Sequence, residues 1–258
     1  MNVDVGTVIA DRYEMDIVHP WTPAMVAGSA ADRKTGKRVG VHLFVSDASA
    51  SPKWREAFLL GGQALRAVPD LGQPRVLEAF FSDHSGVLVT DWLEGGPLLV
   101  EGEMHDPATV VAWATDVATL LSQLHARPAP VFGRNSRHEV LWRKTNGMAT
   151  LLRYGVPEPP AGTSFTKGVS PYQAPETFGN SPRLAAVAAD TYWLGAVMLL
   201  ALTGKPPTSG LDRAAKNVTL QRPAGVSDAF WKLVNSMVAV KPTDRPSADD
   251  IQRRLQRL

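Results

Sequence analysis

Asp190-Thr191-Tyr192-Trp193-Leu194-Gly195-Ala196-Val197-Met198-Leu199-Leu200-Ala201-Leu202-Thr203-Gly204 is the stretch on which the fold reading turns. Its apolar run, residues 193–202, is well short of the ~20 residues a bilayer span needs. It therefore reads as a helix buried on all sides within a large helical lobe. Asp190 opens that helix and Leu202-Thr203-Gly204 closes it. An acid at the head of so apolar a helix reads as an internal acceptor rather than a solvent-facing charge. Two further landmarks frame it: Ala174-Pro175-Glu176 upstream and Lys241-Pro242-Thr243-Asp244-Arg245-Pro246 downstream.

With 258 residues, 44% of them hydrophobic, the chain can bury a sizeable core as one domain-sized unit. A net charge of +2, from 27 basic and 25 acidic residues, argues against nucleic acid as a partner. The absence of cysteine excludes disulfides, zinc–thiolate sites and a thiol nucleophile. Met1-Asn2-Val3-Asp4-Val5 lacks the basic-then-apolar pattern of a signal peptide.

Outward toward the N-terminus the pattern is sheet-rich but irregular. Asp11-Arg12-Tyr13 precedes a poorly patterned stretch, and Val39 to Val45 reads as a strand. Phe58, Leu59, Leu65 and Val68 mark a helix weakened at Gly61-Gly62 by about 1 kcal/mol per glycine. A second strand over Gly86 to Trp92 ends at Glu94-Gly95-Gly96-Pro97, a turn cluster suited to a hinge. Beyond it, Asp106-Pro107 starts a long helix that ends near His125, and Ser227 and Ser247 cap two later helices. Residues 155–168, with Pro157, Pro159 and Pro160, carry no periodicity and read as a loop.

In order, Ala174-Pro175-Glu176, Asp190 with Leu202-Thr203-Gly204, and Lys241 to Pro246 resemble the APE motif, the αF aspartate with its LxTGxxP ending, and the late arginine of the eukaryotic-like Ser/Thr kinases of bacteria. The resemblance covers roughly residues 11–258 and is specific in the C-terminal half. It implies an α+β, two-lobed protein-kinase-like fold, with a small β-rich N-lobe over residues 1–94 and a larger helical C-lobe over residues 95–258. In such folds Glu176 and Arg245 form a buried pair, and Asp190 accepts backbone hydrogen bonds from the catalytic loop.

The positions that serve ATP and magnesium in the family depart from its pattern. No Gly-x-Gly-x-x-Gly occurs around His19-Pro20-Trp21-Thr22-Pro23, where backbone amides would approach phosphate. Val39-Gly40-Val41-His42 matches Val-Ala-Ile-Lys, placing His42 where a lysine grips the α- and β-phosphates. The glutamate partner of that lysine aligns nearest Phe58, with Glu56 on another helix face. Phe132-Gly133-Arg134 stands for His-Arg-Asp, so the catalytic aspartate becomes Arg134 and the metal-binding asparagine Glu139. A shift of one residue selects Gly133 and His138 instead. Arg153-Tyr154-Gly155 replaces Asp-Phe-Gly, reversing the charge at the second metal position. Arg134, Arg153 and His42 could alternatively form a cationic pocket for phosphate, or Glu139 could pair with Arg153.

Other signals fail. His138-Glu139 lacks the second histidine of a zinc-protease helix at Trp142, Gly36-Lys37-Arg38 lacks the upstream P-loop glycine at Ala31, and Gly-x-Ser-x-Gly is absent.

The resulting expectation is a pseudokinase, not an enzyme, with no cofactor. The chain is similar to the intracellular pseudokinase domain of mycobacterial MviN-type lipid II flippases. That likeness implies a cytoplasmic domain of an integral membrane protein, touching the membrane only through its parent and acting in peptidoglycan and cell-wall synthesis. It further implies phosphorylation on threonine by an active Ser/Thr protein kinase and recruitment of a forkhead-associated domain. Thr166, then Thr163, then Thr208 are the candidate phosphoacceptors, since such domains read the third residue after phosphothreonine, here Val169 for Thr166 and Leu211 for Thr208. Two rival classes stand beside it. One is an unconventional nucleotide-binding or phosphotransferase enzyme; the other is a small-molecule sensor in the old ATP cleft, gated by Thr90 with Asp91 at the hinge.

Overall fold

The computed structural model describes residues 3–22, 25–44, 52–68, 72–82, 85–100, 102–127, 141–152, 170–178, 183–216 and 218–258. They fall into two compact units that part between Glu94 and Gly95. The first unit is a six-stranded antiparallel sheet with one helix. Its strands are β1 (Val8–Ile9), β2 (Tyr13–Thr22), β3 (Met25–Asp32), β4 (Arg38–Phe44), β5 (Val76–Ser82) and β6 (Ser85–Asp91), in the order β1-β2-β3-β4-β6-β5. β2 and β3 are the poorly patterned stretch of the sequence. Alternation is hidden there by the small residues Ala27, Gly28, Ser29 and Ala30 and by a register shift between Met15 and Ile17 that leaves Asp16 as the extra residue.

One face of this sheet forms a core of Tyr13, Met15, Val39, Val41, Leu43, Val87 and Val89. The helix α1 (Pro52–Arg66) packs on β5 and β6 and buries Trp54, Phe58, Gly62 and Leu65. Spacings of four, four and three place these on one stripe. Phe58 is fully buried, its ring 5.3 Å from both Phe44 and Phe81 and 5.4 Å from Trp54. Gly62 is more than a weak point in the helix, because a Cβ there would lie 2.3 Å from the Cβ of Ala79 on β5. The propensity cost is thus offset by close approach of helix to sheet.

An ion-pair cluster ties the start of β2 to the end of β3. Arg12 donates from Nε and Nη2 to both carboxylate oxygens of Asp32, at 2.8 and 2.9 Å, and from Nη1 to Glu78 at 2.7 Å. The guanidinium hydrogen bonds hold the Asp32 carboxyl well below the usual carboxylate range, helped by Thr35 and the Lys34 amide. A depressed folded value means stability that is present above the unfolded carboxyl pKa, about 3.9. That stability is lost as pH falls from there through the folded value. Urea midpoints measured between about pH 2 and 7 should therefore show an acid limb that Asp32→Asn flattens; an unchanged limb would remove Asp32 as its source.

The second unit contains β7 (Gly95–Pro97), α2 (Pro107–His125), β8 (Leu141–Lys144), β9 (Ala149–Leu151), α3 (Arg183–Thr203), α4 (Gly210–Lys216), α5 (Asp228–Met237) and α6 (Ala248–Leu255). β7, β8 and β9 form a small antiparallel sheet, so the Gly95-Gly96-Pro97 cluster expected as a turn is in part a strand. Asp106 caps α2, accepting from the Thr109 amide, and Pro107 takes the first helical position. α3 starts at Arg183, about two turns before Asp190, so Asp190 lies inside the helix rather than opening it. The alanine-rich Leu184 to Ala189 propagates the helix upstream, a signal the apolar run had obscured. Residues 189–202 are all buried, between α2 on one side and α5 on the other. Among the described residues no helix is long and apolar enough to cross a membrane.

Candidate functional site

His42 sits on β4 directly opposite Ala27 of β3 and Leu88 of β6. Its side chain is buried and, two residues from Phe44, lies on the α1 face of the sheet. Phe58 occupies the buried stripe of α1 and Glu56 is exposed, so within this unit the buried stripe of α1 offers the β4 position an aromatic ring and not a carboxylate. Thr90, at the end of β6, is buried, and the neighbouring Asp91 carboxylate is engaged by Arg75, with Nε to Oδ2 at 2.6 Å. Arg38 stacks over Trp92 at 4.6 Å and pairs with Asp16 at 3.2 Å. The ends of β4 and β6 at Arg38 and Asp91 are therefore charged and hydrogen-bonded.

Arg134, Glu139, Arg153, Thr163 and Thr166 lie outside the described residues. Thr208 is exposed just before α4. Ser209 caps that helix, its Oγ accepting from the Asp212 amide at 3.1 Å and donating to the Asp212 carboxylate at 2.8 Å. Leu211 is half-buried inside α4, so a partner reading it in an extended peptide would have to unwind the first helical turn.

In the second unit Glu176 lies in a single 3-10 turn, Pro175–Phe178, and Arg245 follows another, Pro242–Asp244. Arg245 donates from Nη1 and Nη2 to the two Glu176 oxygens at 2.6 and 2.8 Å. Its remaining N–H groups go to the carbonyls of Ala239, Ala188 and Val240 at 2.8, 3.1 and 3.0 Å. All five donors of the guanidinium are used. The side chain is fully buried and lies 4.9 Å from the ring centre of Tyr192. Asp190, fully buried, meets Nε2 of His125 at 2.9 Å, joining the end of α2 to the middle of α3. The loop assigned to Asp190 by resemblance, residues 128–140, is outside the described set. Sequence reading missed His125, taken only as a helix end, and Arg213; neither lies in a motif.

No family model matches the chain. It is 25% identical over 244 residues to the serine/threonine-protein kinase PkaA of Streptomyces coelicolor, an alignment covering 89% of this chain and 45% of that protein. To the serine/threonine-protein kinase AfsK of the same organism it is 26% identical over 236 residues, covering 86% of this chain and 29% of that protein. The chain thus spans less than half the length of these relatives. Among solved structures, the kinase domain of Mycobacterium tuberculosis PknI superposes with a TM-score of 0.74 at 16% identity, covering 99% of both chains. A double mutant of that domain gives 0.77, covering 100% of this chain and 99% of that one. The chain has the protein-kinase fold, a β-sheet N-lobe and a helical C-lobe. The expectation that it is not an enzyme is overturned. The curated relatives are named Ser/Thr protein kinases, and the altered ATP-site residues read from the sequence do not outweigh that.

Proposed function

We propose that this chain is the kinase-type domain of a larger signalling protein that is phosphorylated on threonine by an active Ser/Thr protein kinase and then docks a forkhead-associated domain, in the control of peptidoglycan precursor export. The observation that carries this reading is the second unit's scaffold, in which Arg245 spends every donor on Glu176 and three carbonyls. In the sequence Thr163 and Thr166 precede Glu176 by 13 and 10 residues. Phosphothreonine adds close to two negative charges and three strong acceptors, which a groove of Arg, Ser and Asn can read. After kinase treatment the chain should bind a forkhead-associated domain that ignores the untreated protein. Thr163→Ala with Thr166→Ala should abolish that binding; unchanged capture by the double mutant would discard both threonines and leave Thr208 or a threonine outside this sequence.

Phosphoryl transfer by the chain itself is the second reading, favoured by the names of its relatives. It would proceed without a lysine at position 42, leaning on other cations to hold the nucleotide phosphates. Its expected mark is a melting temperature that rises with Mg-ATP. A ligand at a hundred times its dissociation constant adds about 2.7 kcal/mol, a shift of several degrees. A melting curve unmoved by nucleotide, with or without magnesium, would overturn this second reading and leave the docking role standing.

A further inference from the structure

The ring of Tyr192 is approached by two guanidiniums, Arg245 at 4.9 Å and Arg213 at 5.7 Å, yet among the described residues only Arg245 has a carboxylate partner. Arg213, on α4, is 8% exposed. From Nη2 it donates to the Tyr192 hydroxyl at 3.1 Å and to the Val238 carbonyl at 2.7 Å. Its Nε makes no hydrogen bond, and no Asp or Glu among the described residues lies within ion-pair distance. Asp212, its chain neighbour, is committed to Ser209 and Lys216. A guanidinium this buried with neutral partners only is expensive to keep unless a counter-charge completes it.

The Tyr192 hydroxyl accepts from Arg213, and no acceptor takes its own hydrogen among the described residues. Gly210 packs closely on that hydroxyl, since a Cβ there would lie 2.7 Å from it and 2.4 Å from Pro175. An arginine and a hydroxyl with unspent donors, side by side and with no carboxylate beside them among the described residues, form the donor set of an oxyanion site. We infer that Arg213 and Tyr192 form a subsite for a phosphate or carboxylate group within the second unit, beside the Pro175–Phe178 turn. The subsite does not depend on the phosphothreonine docking proposed above.

The probe is inorganic phosphate against acetate, each replacing chloride at constant ionic strength while thermal unfolding of the intact chain is followed. General salting effects rise without saturation, whereas occupancy of a site saturates. Phosphate should raise the melting temperature by a few degrees with saturation, and Arg213→Met should lose that rise. Tyr192→Phe, which keeps the ring and removes only the hydroxyl, should weaken it severalfold and serves where Arg213→Met does not fold. A saturable acetate response equal to that of phosphate would assign the subsite to carboxylates; a larger phosphate response would assign it to phosphoryl groups. An equal, unsaturable rise in wild type and variants, or a full phosphate response in Tyr192→Phe, would overturn the inference and leave an adventitious ion only.

Discussion

Arg245→Ala should lower stability by about 3–5 kcal/mol, the cost of leaving one partner of a buried ion pair behind. Arg253→Ala should cost no more than about 0.5 kcal/mol. The contrast follows from geometry rather than from residue type. Arg253 is 58% exposed and meets Asp249 at 3.2 Å in water, where the attraction is screened. Arg245 is fully buried, and its loss strands the Glu176 carboxylate, itself 14% exposed, together with the carbonyls of Ala188, Ala239 and Val240. Arg245→Lys should recover little, because an ammonium cannot present the planar fork that Glu176 accepts. Urea midpoints rank the variants, and hydrogen exchange should place the loss around residues 174–178 and 239–248. Equal midpoint shifts for Arg245→Ala and Arg253→Ala would show that the pair is not what holds these turns.

The helical half of this fold was legible because its signals are local. Asp106, Ser227 and Ser247 cap their helices with their own side chains, each accepting from an amide three residues on. Glu176 and Arg245 were readable at a distance of 69 residues only through the motifs that carry them. β2 and β3 were not legible, since Ala27, Gly28, Ser29 and Ala30 give no alternation, and their burial comes from β4 and the core below. Gly62 shows the same limit: propensity scores it as a weakness, and only the 2.3 Å approach to Ala79 supplies its reason. Arg213 left no sequence trace either. Its interest lies in the carboxylate that it lacks among the described residues, which no pattern along the chain can display.

Phe58→Ala should destabilise the first unit by about 3–5 kcal/mol, the usual cost of removing a buried phenylalanine from a packed core. Phe58 is fully buried and stands in contact with three other rings, those of Phe44, Trp54 and Phe81, in edge-on or tilted arrangements at 5.3–5.4 Å. Such pairs add to burial itself, so the loss should fall toward the upper end of that range. Phe58→Leu, which keeps most of the volume, should cost far less. Phe58→Glu, which restores the carboxylate of the kinase pattern, should be worse than alanine: the acid would enter an aromatic cluster, and the β4 position offers it His42 rather than a lysine. Hydrogen exchange should report the damage in α1, β5 and β6, with the amides of α2 and α3 unaffected. If Phe58→Glu matches wild type in its urea midpoint, the cluster is not the core of this unit, and the aromatic at position 58 has no structural claim on the site where kinases keep their glutamate.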